Sequence, residues 1–176
     1  MKKGFTLIEI LIVVAIIAIL ASVVIIGLGS TSRAGRDARR IADLRQTQTA
    51  LELYFNRCGR YPGQAAPAGG GVCQTGTPQN WDTLRATITG SGIGVNNVGA
   101  DPQTAGGKSY GYFTNGTSYL ISAPLEDPNN AALSQGITNF AAWQAANPNA
   151  SGFGSSPAGQ CGPQTPPTQA LYCLSL

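Results

Sequence analysis

Histidine is absent from all 176 residues. That removes the commonest general base and the commonest metal ligand together. Charged residues make up only 11% of the chain, against roughly 25% in ordinary soluble domains. None of the four cysteines stands in C-x-x-C spacing, which weakens zinc-ribbon and thioredoxin readings. There is no phosphate loop and no nucleophile motif. An enzyme is therefore the least favoured class, and no cofactor is implied. The net charge of +3 is too small to indicate a nucleic-acid binder by itself, so nucleic acid stays an open partner. Acids are scarce after residue 60: Asp82, Asp101, Glu126 and Asp127. Their spacing matches no calcium loop, and they read as surface or turn acids beside Pro102 and Pro128, so no metal site is assigned.

What the chain does have is a long apolar run near its start. From Ile10 to Ile26 the only polar side chain is Ser22. A helix over Phe5–Leu28 measures roughly 36 Å, enough to cross a hydrocarbon core of about 30 Å. The basic leader Met1-Lys2-Lys3-Gly4 precedes it. A secretory signal is one reading, with a small-x-small site at Gly27-Leu28-Gly29. The run is longer than a usual signal core, and Glu9 breaks it near its start. A plain membrane anchor is the next reading. Ala18 and Ser22 lie four apart, which permits close helix contact or is apolar filler. Glu9 reads as a first-turn acid that complements the helix dipole, while an acid in a membrane segment also tends to mark a functional partner.

Beyond the run the pattern changes. Ala34, Ala38, Ile41, Leu44, Gln48, Leu51 and Phe55 recur at spacings of three and four, one stripe of an amphipathic helix. Arg33, Arg36, Arg39, Arg40 and Arg45 lie mostly off that stripe. They read as a solvated face, as a surface for anionic lipid or DNA, or as partners for acids of neighbouring subunits. A single helix is expected to continue to about Asn56, ended by Gly59 as a left-handed cap and by Pro62. Charge bias alone would turn the N-terminus outward. The even cysteine count places the C-terminal part in an oxidising compartment.

The remainder is rich in glycine and proline, 23 and 11 in the whole chain, so it should be full of loops. Trp81–Ile88 reads as a short helical turn. Ser109–Thr114 and Thr117–Ser122 flank Asn115-Gly116 and predict a hairpin with a two-residue type I′ turn. That turn sets Tyr112 opposite Tyr119 and Tyr110 opposite Ile121, with Phe113, Leu120 and Gly111 on the other face. One face should cover the amphipathic helix. Leu171–Leu174 offers a third strand. Ala131–Ala146 reads as a helical insert anchored by Phe140 and Trp143, and Asn147–Gln169 as loop. Asn115-Gly116-Thr117 is formally a glycosylation sequon, though the turn already accounts for it. Cys58, Cys73, Cys161 and Cys173 allow three pairings. Local loops form most readily, which favours Cys58–Cys73 and Cys161–Cys173; four buried free thiols are the alternative.

Gly4-Phe5-Thr6-Leu7-Ile8-Glu9, after a tiny basic leader and before an apolar run, resembles the processing site of type IV pilins and type II secretion pseudopilins. Ala38–Leu44, Ala50–Phe55 and Gly59-Arg60-Tyr61-Pro62 are similar to the helix and first loop of the same family. The resemblance covers residues 1–62 well and the rest loosely. It implies an α+β, pilin-like fold: one long N-terminal helix packed on a small antiparallel sheet with disulfide-tied loops. It divides the chain into a leader (1–4), a transmembrane and filament-core half-helix (5–28), an amphipathic half-helix (29–57) and a globular head (58–176). It implies cleavage by a prepilin peptidase between Gly4 and Phe5, methylation of the Phe5 amine, and pairing of Glu9 with a neighbour's N-terminus. It implies partners too: copies of the chain in a helical filament, an assembly platform and ATPase, and the inner membrane before assembly. The destination is a surface filament, or the periplasm for a pseudopilin, with the C-terminal part outside the membrane. Family members often carry a glycine and a helix-breaking proline where this chain has Ala18 and Ile26. Any local melting of the helix is therefore expected at Gly27–Ser32. A membrane-tethered binding module that stays monomeric is the alternative from another class.

Overall fold

In the computed structural model, the described residues are 4–63, 72–73, 76, 78–103, 109–154, 161–162 and 170–176, without the side chains of 23–28 and 30. The chain divides into two compact units, Met1–Gly35 and Arg36–Leu176. One helix, α1 (Leu7–Cys58), runs through the boundary between them. Its first part is apolar around the whole circumference. Its second part buries Asp37, Arg40, Leu44, Thr47, Leu51 and Tyr54, at alternating spacings of three and four that keep one face inward. The helix stops where expected: Gly59 has φ 69°, and its amide donates to the Phe55 carbonyl at 2.7 Å. Only a residue without Cβ takes that conformation freely.

After α1 comes α2 (Trp81–Gly90), started by a reciprocal capping box between Asn80 and Thr83. Its Trp81, Leu84 and Ile88 join the core. The sheet has four strands, β1 (Gly111–Thr114), β2 (Tyr119–Leu125), β3 (Ser151–Phe153) and β4 (Ala170–Ser175). They are antiparallel in the order β3-β1-β2-β4. The fold is thus α+β with a long N-terminal helix, a small antiparallel sheet and two disulfides. One sheet face carries Tyr110, Tyr112, Tyr119, Ile121, Ala123 and Tyr172 into the main core with Leu44 and Leu51 of α1. The other carries Leu120, Leu171 and Cys173 into a second cluster with Phe140, Trp143 and Cys161. Period-two alternation along β2 sorts these two sets.

Four expectations need correction. The hairpin turn is not type I′, which requires positive φ at both central residues; Gly116 has φ 93°, but no described non-glycine residue is in that region. Instead the connection runs over Asn115–Ser118. The Asn115 amide donates to the Ser118 carbonyl at 3.2 Å, and Asn115 Oδ1 accepts from the amides of Thr117 (2.9 Å) and Ser118 (2.7 Å). The register consequently moves by two, pairing Tyr112 with Ile121 and Thr114 with Tyr119. An even shift keeps every side chain on its expected face.

The insert after residue 130 is two pieces, a 3-10 turn (Ala131–Ser134) and α3 (Phe140–Ala146). Between them the chain turns to β4, where the Ile137 amide donates to the Cys173 carbonyl at 3.0 Å. Asn139 then caps α3 through the Ala142 amide, 3.0 Å away. Phe140 and Trp143 are buried anchors.

The stretch read as loop after Asn147 contains β3, where a side chain on Gly152 would collide with the Tyr112 carbonyl. The fourth correction concerns Arg40, which lies on the buried face of α1. Disulfides join Cys58 to Cys73 and Cys161 to Cys173, each with Cα atoms 5.7 Å apart. In a chain-entropy picture each contributes about 3 kcal/mol.

Candidate functional site

The N-terminal segment builds its own helix start. Thr6 precedes α1 and Glu9 is the third helical residue. The Thr6 amide donates to Glu9 Oε2 at 2.8 Å, and the Thr6 hydroxyl donates to the same oxygen at 2.6 Å. In return the Glu9 amide reaches Thr6 Oγ1 at 3.4 Å. This reciprocal arrangement is a capping box, which satisfies helix-end donors that otherwise lack partners. Within one chain, then, Glu9 acts as a first-turn acid, as one reading of the sequence has it.

The side chains around it have no cover. Phe5 is 85% and Leu7 83% exposed, and Ile8, Leu11, Val14, Ile17, Ile19 and Leu20 are each more than half exposed. A continuous apolar surface of this kind greatly exceeds what a soluble monomer presents and marks a membrane or protein contact. Among the described residues no helix is long and apolar enough to cross a membrane. The part with described side chains before residue 23, Leu7–Ser22, is shorter than the about 17–25 residues a span takes. The expected span over 5–28 reaches beyond it.

At the other unit's edge lies a buried ionic cluster that the sequence reading missed. The Arg40 side chain is fully buried and donates to Asp101 Oδ2 (3.0 Å), Asp37 Oδ1 (3.0 Å) and Glu126 Oε1 (2.9 Å). Arg36 pairs with Glu126 through two bonds of 2.7 and 2.6 Å. Asp37 also accepts the backbone amides of Glu126 and Asp127. The Arg36 guanidinium, with Arg40 behind it, holds the Glu126 carboxyl down at about 2. So two of the five arginines read as mostly off the stripe are internal partners, while Arg33, Arg39 and Arg45 are exposed.

Two further acids of α1 anchor the sheet. Asp43 accepts from Tyr110 Oη at 2.9 Å. Glu52 accepts from Tyr61 and Tyr119, each at 3.1 Å. Burial first and these carboxylates second push all three phenols above their ordinary range. A signal was present in the sequence: Asp37, Asp43 and Glu52 sit on or beside the apolar stripe, where an unpaired charge would be costly.

Of the acids once weighed for calcium, Asp101 and Glu126 are thus committed to arginine, and Asp82 pairs with Arg85 at 3.2 Å. No group of three or more potential metal ligands gathers among the described residues. The Asn115 sequon amide donates to Asn147 Oδ1 at 2.7 Å, so the turn employs both ends of that side chain.

Residues 1–30 match the family model described as the prokaryotic N-terminal methylation motif. The chain carries the type IV prepilin and pseudopilin signal motif. The motif holds Gly4, Phe5 and Glu9 and ends within α1, before the buried cluster. No curated protein and no solved structure matches the chain.

Proposed function

We propose that this protein is a pilin, the structural subunit of a type IV pilus-like filament on the cell surface. The observation that carries the reading is the helix under the motif: apolar all round and uncovered from Phe5 to Leu20, preceded by the Gly4-Phe5 junction. A prepilin peptidase cuts after Gly4, and Phe5 becomes the methylated N-terminus. Residues 5–28 sit in the inner membrane before assembly and in the filament core afterwards. Residues 29–57 carry the head, 58–176, on the outside. An assembly platform and ATPase drive the transfer. The Glu9 carboxylate leaves its capping role for a stronger bond to the Phe5 amine of a neighbouring copy. Glu9→Gln should therefore leave a processed, inserted subunit but lower filament yield more than about tenfold, since a buried amine without its partner costs about 3–5 kcal/mol. Undiminished fibre yield from that variant would remove Glu9 from assembly.

A pseudopilin of a type II secretion machine is the second reading, favoured by the helix end Gly59-Arg60-Tyr61-Pro62. The long C-terminal part closed by Cys161–Cys173 favours the pilin. Electron microscopy for long fibres on cells with and without the gene separates them. Mass spectrometry of sheared fibres tests the whole proposal, by reporting cleavage after Gly4 and methylation of Phe5 in one spectrum. Absence of the chain from such fibres would favour a monomeric, membrane-tethered module.

A further inference from the structure

Helix α1 has one stretch of low helix propensity between the apolar run and the buried face that begins at Asp37. Gly29, Thr31, Ser32 and Gly35 are weak helix formers, and Gly29 and residues 31–35 are all exposed. Neither glycine is there to let something approach: a methyl group added at Gly29 or Gly35 meets nothing within 4 Å. What these residues change is the stability of the helix itself. Immediately after them the helix becomes held, by Asp37 and Arg40 at full burial and Arg36 on Glu126. Arg33 lies within the weak stretch, fully outside the ion-paired cluster. Arg39 and Arg45 are exposed as well, but their backbone belongs to the held part.

We propose that the Arg33–Ala34 peptide bond is a release site for a trypsin-class protease. Such enzymes need an extended substrate, so a helical bond is cut only as fast as the helix opens around it. Opening over 31–35 exposes no buried side chain. Opening around Arg39 or Arg45 must dismantle the Arg40 cluster or lift Leu44 off the sheet. Hydrolysis adds water across the bond: the new carboxylate stays on Arg33 with the apolar segment, and the new amine is that of Ala34. The product is a head, 34–176, freed from its anchor with its ion-pair cluster and both disulfides intact. This inference does not depend on whether the chain forms a pilus.

The test is limited trypsin digestion of the full chain in detergent micelles, disulfides intact, with the cut bonds in α1 assigned by mass spectrometry. The expected first cut in α1 follows Arg33, with the bonds after Arg36, Arg39, Arg40 and Arg45 surviving at least tenfold longer. Gly29→Ala and Gly35→Ala should each slow that cut about fivefold by stabilising the closed helix. In Arg33→Gln the helix should stay whole over the same period. Cutting after Arg39 or Arg45 as fast as after Arg33 would overturn the proposal, because side-chain exposure alone would then explain the pattern. Unchanged rates in both alanine variants would overturn it as well.

Discussion

Leu11 and Leu51 belong to the same helix and have opposite circumstances. Leu11 is 60% exposed and Leu51 is 0% exposed. Around Leu11 every position but Glu9 is apolar; around Leu51 apolar positions alternate with acids that bind tyrosines and amides of the head. The lesson is that helix content is no measure of attachment. The first part of α1 leaves its apolar side chains uncovered, and the second buries one face within the head.

The sharpest way to break this contrast is to remove the centre of the ionic cluster. Arg40→Ala leaves Asp37 and Asp101 buried without their cation, while Glu126 keeps Arg36. The head should lose about 3–5 kcal/mol, seen as a much lower midpoint of chemical denaturation. A midpoint within error of wild type would mean the cluster holds nothing together. A paired substitution sharpens the comparison directly. Leu51→Ala should cost the head about 2–5 kcal/mol through lost burial and a residual cavity, whereas Leu11→Ala in the same helix should leave head unfolding unchanged. Equal effects would show that the two parts of α1 unfold as one.

The smallest effect is a pH dependence. The Glu126 carboxyl is held at about 2 in the folded head, below the ordinary value near 4.3 of an unfolded glutamate. Its contribution is therefore fully present above about pH 5 and is lost as pH falls toward 2. Glu126→Gln should flatten that part of the stability profile, and an unchanged acid limb would assign the loss to other groups.

Much of this architecture is legible in the residues. The Gly4–Glu9 motif, the apolar run, the capping glycine at 59 and the alternation in Tyr119–Leu125 each follow from local chemistry. The buried face of α1 was harder. Reading it as Ala34, Ala38, Ile41, Leu44, Gln48 places the stripe part of a turn away from Asp37, Arg40, Leu44, Thr47. The displacement arises because a charged residue is normally assigned to solvent, and nothing local announces that Asp101 and Glu126, about sixty and ninety residues later, will neutralise it. The hairpin register failed for a different reason. Asn115 satisfies two turn amides with its side chain, so its backbone has no need of positive φ. And β3 is three residues long, too short for any periodicity to declare itself.

The sheet's borders have a consequence for crowding. A strand edge with free amides and carbonyls is a template on which another chain can pair. Here one border is only Ser151–Phe153, and at the other the Gly162 amide already donates to the Leu171 carbonyl at 2.7 Å, next to the Cys161–Cys173 bond. Among the described residues, the sheet thus offers another chain little free edge on which to pair.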